Sequence, residues 1–105
     1  MNRQALCDSL ADWPALGASV SGRPIYGRLF GAPNPHTPVL LFGAIHGDEP
    51  LGAFLLARLC AEMVNVARPT RAAWVIPILN PDGFLAAQKN NAANVDLNRN
   101  FPAQN

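Results

Sequence analysis

His46 and Glu49 stand three residues apart in the segment His46-Gly47-Asp48-Glu49 and are the first candidates for chemistry. A neutral imidazole and a carboxylate are both good zinc ligands, and a catalytic zinc site keeps one position open for water. The same pair also occurs where a partly buried histidine lies beside an acid that caps a helix. The spacing alone therefore leaves a metal-binding role and a structural role open.

Asn98 and Arg99 form a second candidate pair. A guanidinium can donate two parallel hydrogen bonds to a carboxylate, and a neighbouring amide can add a third donor, which suits recognition of a carboxylate on a ligand. The alternative is a surface loop in which Arg99 pairs with Asp96 or Asp82. Lys89 could stabilise negative charge that develops on a carbonyl oxygen, or it could be an ordinary solvated lysine.

Two apolar segments should position these candidates. Residues 39–45 are almost wholly apolar and lie between a proline and a glycine, which predicts a strand covered on both faces. Residues 73–79 predict a second buried strand, and a helix between the two would make a βαβ unit with parallel strands. Both strands would then end at the same edge of the sheet, where α/β proteins build their sites. His46 and Glu49 follow one strand end, and residues 80–83 follow the other.

The connecting helix is predicted to begin immediately behind the first candidate pair. Asp48 can cap it, with Glu49 in its first turn and Pro50 where a missing N–H does no harm. The helical pattern continues to about Ala67. Its apolar stripe, interpreted as core packing, consists of Leu51, Leu55, Leu59 and Met63, widened by Leu56 and Cys60.

The remaining segments carry weaker signals. Apolar spacing within residues 2–13 predicts a short amphipathic helix, and residues 25–30 predict a short strand. Asp82 is predicted to make the turn in which it lies. His36 precedes the first strand and is therefore expected at the opposite edge of the sheet, so it is interpreted as having no part in the site.

Composition narrows the class of protein. Of the 105 residues, 50% are apolar and 14% are charged, which suits one domain with a buried core. A net charge of +1 gives no reason to expect a nucleic acid or a membrane as partner. No apolar run approaches the roughly 18 residues of a membrane span, and the N-terminus lacks the plan of a signal peptide, so we expect a cytoplasmic protein. Cys7 and Cys60 are interpreted as reduced thiols, although the sequence leaves a disulfide between them open.

Taken together and in this order, three segments resemble the motifs of the zinc carboxypeptidases. They are His46-Gly47-Asp48-Glu49, Asn80-Pro81-Asp82-Gly83-Phe84 and Val95-Asp96-Leu97-Asn98-Arg99-Asn100-Phe101-Pro102. The similarity is greatest to the bacterial branch that contains murein peptide amidase and related diamino-acid carboxypeptidases. It covers residues 38–102 and implies an α/β fold, a mixed eight-stranded sheet between helices.

The resemblance implies a role for each candidate. His46 and Glu49 match the first two zinc ligands, and Asn98 and Arg99 match the pair that binds the terminal carboxylate of a peptide substrate. Lys89 falls where this branch often has an arginine that polarises the scissile carbonyl, and a lysine keeps that charge but loses the planar fork. The implied activity is zinc-dependent hydrolysis of an amide bond next to a free carboxylate, in murein-type peptides.

Length is where this chain departs from the family pattern. The third zinc ligand of the family, a second histidine, and its catalytic glutamate come after the Asn-Arg motif, and neither follows Arg99 in these 105 residues. The resemblance therefore implies that residues 1–105 are the N-terminal portion of one catalytic domain, inactive in isolation. Such a portion should expose apolar surface and an unpaired sheet edge.

Two other functions remain open at this point. The aspartoacylase and succinylglutamate desuccinylase group has a similar H-x-x-E and Asp-Leu-Asn-Arg pattern but acts on small N-acylated amino acids, and the segment Asn80-Pro81-Asp82-Gly83-Phe84 favours the peptidase. The third possibility is a non-catalytic remnant that keeps the motifs but only binds a ligand or partner.

Overall fold

The computed structural model describes residues 1–31, 38–64 and 72–102. His36 and the predicted end of the helix at Ala67 lie outside these ranges. In chain order the elements are α1 (Arg3–Ser9), β1 (Ala15–Ala18), β2 (Pro24–Tyr26), β3 (Arg28–Phe30), β4 (Val39–Phe42), α2 (Leu51–Met63), β5 (Ala73–Ile76), α3 (Pro81–Ala86) and a 3₁₀ turn (Leu97–Arg99).

A three-stranded mixed sheet positions the candidate site. Its order is β3-β5-β4, so β5 lies in the centre. β5 is parallel to β4, with Val39 opposite Ala73 and Phe42 opposite Ile76. β3 runs antiparallel on the other side of β5. The predicted α/β class, the βαβ unit and the shared carboxyl edge of β4 and β5 are confirmed.

The predicted strand at residues 25–30 is two strands in two different sheets. β2 pairs with β1 in an antiparallel hairpin, whereas β3 joins the mixed sheet. The break falls at Gly27, which is buried and where a Cβ atom would overlap the side chain of Leu16. A glycine therefore lets the hairpin fold closely over the sheet at this position.

β4 is shorter than predicted and is not covered on both faces. Its burial alternates, and Leu40 and Phe42 are 58% and 42% exposed. The partly buried Leu41 packs instead against Cys60 of α2 and Val75 of β5. The prediction of a doubly covered strand was wrong because a continuous apolar run shows what a strand could bury, not which elements cover it.

α2 also differs from its prediction, at its start and in its buried face. Asp48 does not cap the helix, because the N-cap position is Pro50 and no side chain makes a capping bond there. Leu51, Leu55 and Leu59 are 69%, 59% and 42% exposed, so these members of the predicted core stripe face outward. Cys60 of the predicted stripe is buried, and Leu56 and Met63 pack against its cluster, but the other buried residue of α2 is Ala53.

The core lies between the two longer helices and the mixed sheet. Leu6 and Leu10 of the α1 segment pack with Ala53, Ile78 and Phe84, all of them buried. The predicted short helix at residues 2–13 is confirmed in its first half, with Asn2 as its cap. No helix in the described ranges is long and apolar enough to cross a membrane. Both cysteines are free thiols.

Matched truncations of two leucines test this distribution of buried surface. Leu6→Ala should lower the free energy of unfolding by about 2–5 kcal/mol, because a 1% exposed side chain leaves a cavity. Leu55→Ala should change it by less than about 0.5 kcal/mol, because Leu55 is 59% exposed. Urea unfolding measures both values. A larger loss for Leu55→Ala than for Leu6→Ala would contradict the packing of α2 described here.

Candidate metal centre

The segment between β4 and α2 turns sharply and carries the first candidate pair. Ala44 has a φ of 52°, in the left-handed region. Gly47 is buried, and a Cβ atom there would overlap the backbone of Gly83. Only glycine allows so close an approach of two backbones. The turn thus presents His46 just beyond the carboxyl end of β4.

Asn80 joins this loop to the segment that follows β5. Its side chain Oδ1 accepts a hydrogen bond of 3.0 Å from the Gly83 N–H and so caps α3. Its Nδ2 donates to the Ile45 carbonyl at 3.3 Å. Asn80 is only 2% exposed, and its bonds hold the two strand ends together.

His46 lies between two carboxylates. Its Nε2 is 2.9 Å from Asp96 Oδ1, and its Nδ1 is 3.7 Å from Glu49 Oε2. A carboxylate oxygen can only accept, so in the neutral ring the proton is assigned to Nε2 and Nδ1 presents a lone pair towards Glu49. Two acceptors that face each other at this distance are suited to share a cation.

The donor set fits part of a zinc site. Zinc bonds to imidazole nitrogen and carboxylate oxygen are about 2.0–2.2 Å each, which sum to roughly 4.2 Å. The 3.7 Å between His46 Nδ1 and Glu49 Oε2 is shorter than that sum, so one ion can contact both atoms. Within residues 1–31, 38–64 and 72–102, no group of three or more His, Cys, Asp or Glu side chains could hold a metal ion. Metal ligation by His46 and Glu49 stays a prediction.

Asp96 is the residue of this site that the sequence analysis missed, having considered it only as a partner for Arg99. Its Oδ1 accepts from His46 and also from the backbone N–H of Asn98 at 3.0 Å. The hydrogen bond from His46 is the main reason why the pKa of Asp96 is below its usual value. Its position as N-cap of the 3₁₀ turn that carries Asn98 and Arg99 is a signal that could have drawn attention to it.

The remaining predicted site residues lie near Asp96 in the chain but differ in their contacts. Lys89 Nζ is 3.7 Å from Asp96 Oδ2, which connects Lys89 to His46 through one carboxylate. Asn98 and Arg99 are exposed on the 3₁₀ turn. Arg99 donates to the Asn98 carbonyl at 3.3 Å, and no carboxylate among the described residues pairs with it.

Asp82 was predicted to make the turn in which it lies, and this prediction is wrong. Its side chain instead fastens the β1–β2 hairpin to the site. Its 3% exposed carboxylate accepts from Arg23 at 2.8 Å, from the Ser19 hydroxyl at 2.9 Å and from the Ser21 N–H at 3.1 Å. Burial acts to raise the pKa of Asp82, but the hydrogen bonds from Arg23, Ser21 and Ser19 together lower it below its usual value. Asn80, not Asp82, caps the turn.

Comparison with known proteins shows which family the chain is similar to. The family model described as zinc carboxypeptidase matches residues 2–105. Carboxypeptidase SOL1 of Arabidopsis thaliana is 35% identical over 93% of this chain and 23% of its own length. The chain therefore spans about a quarter of the length of this curated relative.

Solved structures agree on the fold. A metallo-carboxypeptidase from Burkholderia cenocepacia matches 91% of this chain and 31% of its own, with a TM-score of 0.72 and 22% identity. Murein-tripeptide amidase from Escherichia coli O157 matches 95% of this chain and 42% of its own, with a TM-score of 0.64 and 30% identity. An aspartoacylase family protein from Mesorhizobium loti matches 86% and 29%, with a TM-score of 0.60 and 25% identity.

The ion pair of Asp82 should make stability depend on acid pH. Because the folded-state pKa of Asp82 is lowered, its contribution is complete above the unfolded pKa of about 3.9 and is lost as pH falls through the folded value. Asp82→Asn should therefore be less stable than the unmodified chain at pH 7, by about 2 kcal/mol, and this difference should shrink below about pH 4.

Urea unfolding at several pH values between 7 and 3 measures this difference. Asp12→Asn, which removes an exposed carboxylate, is the matched control and should show little difference at any pH. A deficit of Asp82→Asn that stays constant down to pH 3 would contradict the stabilising role of the ionised carboxylate.

Proposed function

The chain belongs to the zinc carboxypeptidase family, and from that premise we propose that the whole protein hydrolyses amide bonds next to a free carboxylate in murein-type peptides. The observation that carries this proposal is the arrangement of His46 between Glu49 and Asp96, with Nδ1 directed at Glu49 Oε2 over 3.7 Å. Metal-ligating histidines commonly donate their other ring N–H to a carboxylate, as His46 Nε2 is assigned to do towards Asp96.

In the proposed site His46 and Glu49 hold a zinc ion. When bound, zinc lowers the pKa of a water molecule and polarises a carbonyl group. Asp96 fixes the tautomer and the orientation of the His46 ring. No histidine or glutamate follows Arg99 in the 105 residues, so we expect these residues by themselves to lack the complete ligand set and the general base.

Substrate selection is assigned to the exposed 3₁₀ turn. Arg99 is free of carboxylate partners among the described residues, so its planar fork is available for the carboxylate of a substrate. Asn98 can add an amide donor beside it. Asp96 ties the start of this turn to His46, which keeps the substrate anchor in a fixed relation to the metal ligand.

Lys89 is proposed to support negative charge on the carbonyl oxygen during attack. Its ammonium group is 3.7 Å from Asp96 Oδ2 and is more than half exposed. Lysine provides a flexible point charge instead of the two parallel donors of an arginine. To bind the substrate carbonyl, Lys89 would have to leave Asp96. The contribution of Lys89 should therefore be smaller than that of a donor that is already held in place.

The choice of a murein-type peptide is supported by the similarity to murein-tripeptide amidase at 30% identity. The similarity to an aspartoacylase family protein at 25% identity supports the second candidate, hydrolysis of small N-acylated amino acids. Both reactions need a zinc site and an anchor for a carboxylate. The two candidate functions therefore differ in the substrate that is hydrolysed, and assays with both substrates distinguish them.

We expect the complete gene product that contains this chain to cleave a murein tripeptide with a free terminal carboxylate. The same peptide with an amidated terminus should react about 10- to 100-fold more slowly in kcat/KM, because Arg99 loses a charged hydrogen-bond partner. Arg99→Ala should abolish this preference. Cleavage of N-acylated amino acids but not of the peptides would identify the second candidate function, and turnover of neither would favour a non-catalytic remnant.

The role of Asp96 can be measured without catalysis. Asp96→Asn should weaken zinc binding by the complete gene product about 10- to 100-fold, because a neutral amide oxygen accepts from the His46 Nε2–H more weakly than a carboxylate does. Asp48→Asn is the matched control, since it removes an exposed carboxylate from the loop that carries His46 and Glu49. Titration calorimetry gives both dissociation constants. Equal effects of the two variants would mean that Asp96 acts only through its charge, and His46→Ala with undiminished zinc affinity would exclude the site.

A further inference from the structure

Arg3 reaches from α1 to the loop that carries the proposed metal ligands. Its Nη1 lies 2.7 Å from the Gly47 carbonyl oxygen and 2.8 Å from the Phe84 carbonyl oxygen, and it donates to both. Its guanidinium also lies over the ring of Phe84, 4.9 Å from the centroid. The sequence alone does not reveal these contacts of Arg3, because its partners are 44 and 81 residues away.

The contact matters because of where Gly47 lies. Gly47 directly follows His46 and precedes Glu49 by two residues, so the direction of its peptide groups sets the separation of the two side chains. Its N–H donates to the Lys89 carbonyl at 3.3 Å, and its carbonyl accepts from Arg3. Gly47 is buried, so removal of the guanidinium would leave that carbonyl without this partner.

α1 is well placed to hold Arg3 still. Asn2 caps the helix by accepting from the Ala5 N–H at 2.8 Å. Leu6 and Leu10 are 1% and 3% exposed and anchor the α1 segment against Ala53 and Phe84 in the core. Arg3 therefore projects from the first turn of a helix whose position is fixed by packing.

We propose that Arg3 is a positioning residue for the metal centre, which holds the Gly47 carbonyl and thereby sets the spacing of His46 and Glu49. The N-terminal helix is then part of the site through the bond of Arg3 to the Gly47 carbonyl. The link from loop geometry to zinc affinity rests on the proposed function. The effect of Arg3 on the loop itself does not.

The first test measures the loop without any metal. In Arg3→Ala, amide hydrogen exchange at Gly47 and Glu49 should accelerate about tenfold relative to Leu79, because the loop loses a charge-assisted hydrogen bond. The three N–H groups donate to Lys89, His46 and Gly43 carbonyls respectively. Equal acceleration at all three would show general destabilisation and would overturn the proposal, as would no change at Gly47 and Glu49.

Arg28→Ala is the matched control. The Arg28 guanidinium lies over the rings of Phe30 and Trp13, at 5.1 and 6.0 Å from their centroids, and so shares the aromatic contact of Arg3. It lies on β3 and not in the loop after β4 that carries His46 and Glu49. Its removal should leave the ratio of exchange rates at Gly47 and Leu79 unchanged.

The second test measures zinc affinity by calorimetry on the complete gene product. Arg3→Ala should weaken zinc binding about tenfold, and Arg3→Lys should recover part of the affinity, because an ammonium can donate to the same carbonyls but lacks the planar group that lies over the Phe84 ring. Unchanged affinity in Arg3→Ala would overturn the effect on the site. If the unmodified protein itself does not bind zinc, the proposed function fails, whereas the exchange ratios still decide whether Arg3 holds the loop.

Discussion

Two pieces of backbone in the site lie so close together that no side chain fits between them. A Cβ atom added at Gly47 would overlap the Gly83 backbone, and one added at Gly83 would overlap the Asn80 side chain, so neither position has room for a side chain. This contact brings the loop after β4 against the segment after β5. Without it, the hydrogen bonds of Asn80 and Arg3 to the loop would not reach, and His46 would not stand where Asp96 can accept from it. The chemistry of the site therefore depends first on two absent side chains.

Charge is arranged around that contact in a consistent way. Each ring nitrogen of His46 faces one carboxylate. The carboxylate of Asp96 also pairs with Lys89 and accepts from a backbone N–H. A second buried carboxylate, that of Asp82, is neutralised separately by Arg23. The two networks do not exchange partners in the described part of the chain. The hairpin is therefore held by an ion pair that is separate from the carboxylates around His46.

Local patterns predicted what depends on neighbouring residues in the chain. The parallel pairing of β4 and β5 follows from two apolar runs with a helix between them, and this placed His46, Glu49 and the residues after β5 at one edge. Such patterns could not show which face of α2 is covered, because Leu55 and Ala53 are equally able to pack and only the position of α1 and the sheet decides. They also could not assign Asp82 or Asp96 to their partners, which lie 59 and 50 residues away. Arg3 was missed for the same reason.

The free side of β4 has a consequence for how the chain behaves at high concentration. Among the described strands β4 pairs only with β5, and its four residues include no charge, proline or bulge that would discourage another strand from joining. Leu40 and Phe42 add apolar contact area beside the open row of peptide groups. Two such molecules could extend one sheet across both chains, and further molecules could add in the same way. Such pairing would depend on the concentration of the chain, so dilution would favour the monomer.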